Sequence, residues 1–222
     1  MGLGSFDCPL PLVGHAEVLS QPTVVERKNW ERHRIRGADL SAFEADQLTI
    51  TRQSIMTKFN AGKYGAGVIA TLMWGYPKGA IGQTDVGMTA ALQASASIGE
   101  VLKRLKSEPA ASAKTVLTAL NQTCRGIGPA TTSKLAYFAG IRTIEGSALI
   151  YDNMVRRAVT ALSGESELDE LRAQISNTRT NVANATYGAY LRAVNALALS
   201  RSATPDQIEY QLFRLGRISA LV

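Results

Sequence analysis

The chain has 222 residues, 45% of them hydrophobic and 19% charged. That is enough to bury a sizeable core in one domain or two small ones, and it excludes a disordered acidic or basic tail. The formal charge of +6 permits a polyanionic partner without requiring one.

Cys8 and Cys124 are too far apart in sequence to frame a small disulfide scaffold. Two cysteines cannot supply a four-cysteine metal or iron–sulfur site, and His15 and His33 make a multi-histidine zinc site a poor fit. No metal and no cofactor is expected. No run of about 18 apolar residues is present, so no membrane span is expected. The N-terminal stretch lacks a basic n-region and a long apolar h-region, so it does not read as a secretory signal. A cytoplasmic, nucleoid-associated location is the default.

In chain order, residues 1–25 hold Pro9, Pro11 and Pro22 among glycines and read as an extended arm laid over the body. Residues 26–36 carry five Arg or Lys and form the densest basic cluster. It is either a solvated face or a phosphate-contacting edge. From 37 onward the pattern is helical, with Leu40, Phe43, Leu48 and Ile55 at mixed helical spacings. Val68, Ile69, Leu72 and Met73 suggest a buried helix that the GYPKG turn ends. Further helices are expected at 88–106, 113–124, 130–139, 151–162, 166–175, 182–199 and 205–215. Almost nothing alternates with period two. The expected fold is all-α, one unit over 1–222 (an arm and basic segment at 1–36), possibly in two helical lobes.

The most informative stretch is 113–139. Val116, Leu117, Leu120 and Cys124 share a helical face. Arg125 and Gly126-Ile127-Gly128 follow, then a second helix with Thr131, Leu135 and Phe138 on one side. The glycines permit a tight turn with outward N–H groups, and Ile127 can plug it into the core. The next helix offers its N-terminal amides, at Ala130 and Thr131, and its positive dipole end. Such a unit can hold one phosphate without reading sequence. A plain glycine-rich turn between two helices is the alternative.

This arrangement resembles the helix-hairpin-helix motif. Leu149-Ile150-Tyr151-Asp152-Asn153-Met154-Val155-Arg156-Arg157 is similar to the segment beyond the hairpin in DNA glycosylases of that superfamily, those with an 8-oxoguanine-glycosylase-type fold. The resemblance covers 112–160 well. It implies a helical fold with a cleft for double-stranded DNA, and Asp152 as the catalytic carboxylate, with Arg156 as the basic residue of its helix. Cleaving an N-glycosidic bond builds oxocarbenium charge on the sugar, which a carboxylate can stabilise while guiding water. An ordinary N-cap is the other reading of Asp152, and both can hold. Bifunctional relatives carry a lysine two residues after the second hairpin glycine; Ala130 stands there. Lys134 lies one turn on, displaced by about 6 Å. The implied enzyme is therefore monofunctional, leaving an abasic site, with Lys134 as an alternative Schiff-base lysine or a surface or phosphate-binding one.

A glycosylase also needs a wedge and a base pocket. Trp74, Tyr76 and Tyr64 are the aromatic candidates, or else core residues beside a turn. Lys78 could reach a phosphate, and Gln83 could enter the gap or read a base edge. The compact, cluster-free form resembles a bacterial branch whose members excise bulky modified cytosines, such as glucosylated hydroxymethylcytosine, from phage DNA. Repair of 8-oxoguanine or another damaged base is the alternative substrate, and a non-catalytic DNA-binding module the alternative class.

Overall fold

A computed structural model describes residues 12–33, 46–81 and 85–218. The described residues form twelve α-helices and two small two-stranded sheets. Helices α3 (Arg52–Asn60), α4 (Tyr64–Gly75), α6 (Ser95–Ser107), α7 (Ala113–Thr123) and α8 (Pro129–Ala139) pack on one another. A second group comprises α9 (Asn153–Ala161), α10 (Asp169–Asn177), α11 (Val182–Ser200) and α12 (Pro205–Ile218). One hydrophobic cluster runs through both groups, from Phe59 and Trp74 to Tyr190 and Leu212. No described helix is long and apolar enough to cross a membrane.

The arm does not lie extended throughout. His15–Ser20 forms α1, and Pro22–Glu26 forms strand β1, which pairs antiparallel with β2 (Gln47–Thr51). The two strands bury alternate residues, with Thr23 opposite Ile50 and Val25 opposite Leu48. Leu48 therefore sits in a strand rather than on a helix, because a short period-two segment yields to its partner strand. Leu40 and Phe43 lie outside the described residues. In the described part of the basic cluster, Lys28–Glu31 forms α2, and exposed Arg27, Lys28 and Arg32 pair with Glu31, Glu26 and Asp85. These three cations have carboxylate neighbours on a solvated face; Arg34 and Arg36 lie outside the described residues.

The expected helix at 88–106 is two helices, α5 (Asp85–Gln93) and α6, broken at Ala94. In α6, Gly99 packs against Tyr64 and Gly65 of α4, about 3.1 Å from where its Cβ would be. Helix α4 follows its apolar run and stops before Pro77. Helix α8 ends on Gly140, which is left-handed at φ 69°.

Candidate active site

The hairpin takes the form its residues suggest. Helix α7 starts on Ser112, whose hydroxyl accepts from the Thr115 amide, and α8 starts on Gly128 with Pro129 in its first turn. Gly126 has φ 98°, a backbone that favours glycine. Ile127 is buried and plugs the turn, while Arg125 and Gly126 are exposed. Gly128 has an ordinary φ of −95°, and a Cβ there would meet open space. Its smallness keeps the helix start accessible rather than making the turn possible.

Beyond α8, a short β3–β4 hairpin (Arg142–Thr143 with Gly146–Ser147) leads to an extended segment, Leu149–Tyr151. Tyrosines pin this segment. Tyr187 Oη donates to the Leu149 carbonyl at 2.9 Å, and Tyr190 Oη to that of Ile150 at 2.9 Å. The Tyr151 ring stacks on Tyr190 with centroids 4.3 Å apart. The Tyr151 amide donates to Ser133 Oγ of α8 at 3.0 Å. The carboxylate that follows is thereby fixed relative to the hairpin.

Asp152 caps α9. Its Oδ1 accepts from the amides of Met154 at 3.0 Å and Val155 at 3.2 Å. Its Oδ2 faces Lys134 Nζ at 3.1 Å. Burial alone would raise the Asp152 pKa, but the Lys134 charge and the Val155 and Met154 amides outweigh it and hold the carboxyl below its ordinary value. Lys134 is also buried. Its side chain runs back along the helix, with Nζ 3.5 Å from the Ala130 carbonyl and 5.9 Å from the Tyr76 ring centroid. It is neither a surface lysine nor out of reach. The four-residue displacement is absorbed by its long stem, which points toward the helix N-terminus.

The pair lines an open cavity of about 430 Å³ where the two helix groups meet. Gly75, Tyr76 and Ile81 form one wall, 128–131 with Lys134 a second, and Asp152–Met154 with Arg156 a third. Arg156 bonds to Asn153 Oδ1 and lies over the Tyr151 ring. Among the described residues it has no carboxylate partner within ion-pair distance, and neither has exposed Arg125.

Two aromatic candidates do not reach this cavity. Trp74 is core: it packs edge-on to Phe138 and donates its indole N–H to the Gln21 carbonyl. Tyr64 packs on Phe59 at the opposite end of α4, roughly 16 Å along the helix from the cavity. Their apolar neighbours, at helical spacing, turn them inward. Tyr76 does line the cavity, and its hydroxyl meets Thr131 Oγ1 at 2.6 Å, so the Thr131 side chain is buried and engaged. Lys78 is exposed on the turn that follows, and Gln83 lies outside the described residues. Ser133, Tyr187, Tyr190 and Asn153 escaped sequence reasoning. The i, i+3 tyrosines of α11 were the available signal.

A hairpin with an open helix start, followed by a buried carboxylate on the next helix across a cavity, defines a helix-hairpin-helix glycosylase fold. The model of the family described as "Putative 8-oxoguanine DNA glycosylase OGG-like protein" matches residues 16–213, and the chain belongs to that family. Neither a curated protein nor a solved structure matches the chain at a significant level.

Proposed function

We propose that this protein is a DNA glycosylase that flips a base from double-stranded DNA and hydrolyses its N-glycosidic bond. The observation that carries the reading is the buried Asp152–Lys134 pair on the wall of the cavity beside the hairpin. Asp152 is ionised and oriented, which suits it to stabilise oxocarbenium charge and direct water. Lys134 meets it as an ion pair, and an amine so engaged serves to position the carboxylate. This supports a monofunctional enzyme that leaves an abasic site. A second reading, Lys134 as a Schiff-base nucleophile, is favoured by the entry of Nζ into the same cavity. Borohydride trapping separates the two: a covalent protein–DNA adduct identifies the amine route, and its absence alongside abasic product identifies hydrolysis.

The amides of Gly128 and Ala130, with Arg125, Lys78 and Arg156, are the proposed DNA contacts, and Tyr76 the proposed pocket aromatic; the Thr131 amide is spent on the Gly128 carbonyl at 2.9 Å. The continuous core supports a single helical domain over the chain. A protein acting on DNA in a bacterial cell belongs in the cytoplasm, at the nucleoid.

For substrate, we favour a bulky modified cytosine of phage DNA, such as glucosylated hydroxymethylcytosine, removed in defence against infection. The cavity volume lies in the range of sites for ligands larger than one planar ring. Gly75, Gly128 and Ala130 leave its walls short of side chains. The test incubates the protein with plain duplex, duplexes carrying 8-oxoguanine, uracil or alkylated bases, and phage genomes with hydroxymethylated or glucosylated cytosine, then cleaves abasic sites in hot alkali. Strand breaks in the glucosylated genome alone are expected. Breaks at 8-oxoguanine instead would make this a repair enzyme, and intact DNA throughout with binding retained would make it a binding module.

A further inference from the structure

With Trp74 and Tyr64 turned into the core and Tyr76 read as the pocket aromatic, none of the three aromatic candidates is left for the wedge. Val86 is 77% exposed, in the first turn of α5. Single exposed apolar side chains are ordinary on a protein surface, but this one stands in an unusual place.

The residue after it, Gly87, packs directly on the hairpin turn. A Cβ on Gly87 would lie 3.5 Å from the Gly126 carbonyl and 3.7 Å from Cβ of Ile81, a wall residue of the cavity. The residue before it, Asp85, is held by Arg32 at 2.8 Å. The first turn of α5 thus lies beside both the hairpin turn and a wall residue of the cavity. Behind it, Met88, Ala91 and Leu92 anchor α5 in the core. The other strongly exposed apolar residues lie elsewhere: Ile144 on the β3–β4 turn and Leu199 near the end of α11.

We propose that Val86 is the wedge that enters the duplex and occupies the space left by the extruded base. This rests on the glycosylase reading. A β-branched side chain has one stiff torsion and loses little freedom on insertion. Apolar side chains inserted between base steps are a general means of unstacking DNA. The hairpin would grip the backbone beside the target while Val86 props the stack open and the base enters the cavity.

The experiment measures binding by fluorescence anisotropy to two duplexes of one sequence, one intact and one with a tetrahydrofuran abasic analogue at its centre. The analogue presents a ready gap and requires no knowledge of the substrate base. Wild-type protein should prefer the abasic duplex. Val86→Ala should weaken that binding by about tenfold, leave intact-duplex affinity within about twofold, and be rescued by Val86→Leu. Leu199→Ala should change neither. A Val86→Ala protein that loses both affinities equally, or neither, overturns the assignment. A wild-type protein with no preference for the abasic duplex contradicts the glycosylase reading, and the wedge falls with it.

Discussion

Asp152 divides its work between its two oxygens. Oδ1 satisfies two amides at the start of α9, and Oδ2 meets the ammonium of Lys134. Cap and catalytic carboxylate are therefore compatible in one side chain. Because its folded pKa is depressed, Asp152 contributes stability above about pH 4, and that contribution is lost as the pH falls through the folded value. The urea midpoint difference between wild type and Asp152→Asn should be largest near neutrality and shrink as the pH is lowered below about 4. A difference that grows on acidification would contradict this sign. The role of Asp152 as a cap was legible from its place before an apolar-periodic helix. The reach of Lys134 was not, since spacing along a helix fixes where a Cα lies and not where a four-carbon stem ends.

The elements that matter most for the site are its least regular. The Leu149–Tyr151 segment has no ladder partner, and Tyr187, Tyr190 and Thr186 of α11 hold it by hydrogen bonds. Burial pushes all three tyrosine hydroxyls (Tyr151, Tyr187 and Tyr190) above their ordinary pKa, so they remain neutral donors across the working pH range. Tyr187→Phe leaves the Leu149 carbonyl and amide without their partner in a dry interior. It should cost about 1–3 kcal/mol in thermal or urea unfolding, and it should lower base release further by loosening Asp152. The long helices and the hairpin were legible because their apolar periodicity spans several turns. The β1–β2 pair was not: each strand is five residues long, and its register depends on a partner more than twenty residues away. The break at Ala94 was equally hidden, because neither Gly nor Pro stands at it.

At the scale of the molecule, the two helix groups are fastened away from the cavity by a buried ion pair. Arg52 of α3 meets Glu209 of α12 at 2.5 Å, with Gln21 and Tyr137 on its other donors and Trp74, Tyr137 and Tyr210 around its face. Its partners raise the Arg52 pKa despite burial, so the guanidinium stays charged. Glu209→Gln strands that charge in the core and should cost about 3–5 kcal/mol, read as a lowered urea midpoint. Replacing both residues with apolar ones of similar volume should recover much of the loss. Within the second group, close packing reaches the site: Gly216 of α12 lies against the Met154 backbone, and a Cβ would come within 1.9 Å of its carbonyl oxygen. Gly216→Ala must therefore displace the start of α9 and the carboxylate with it. None of these long-range partners leaves a trace in one sequence, whereas the hairpin and the aspartate lie close together and could be read.

The central claim is that Asp152, paired with Lys134, is the group that breaks the glycosidic bond. The most direct test is single-turnover base release by Asp152→Asn on the substrate that wild type cleaves, beside its affinity for an abasic-analogue duplex. Asparagine retains much of the cap, so the protein should fold and bind DNA within a few-fold of wild type, while base release falls by roughly 10²–10⁴. Base release unchanged in Asp152→Asn would leave the carboxylate a helix cap only and remove the catalytic site described above.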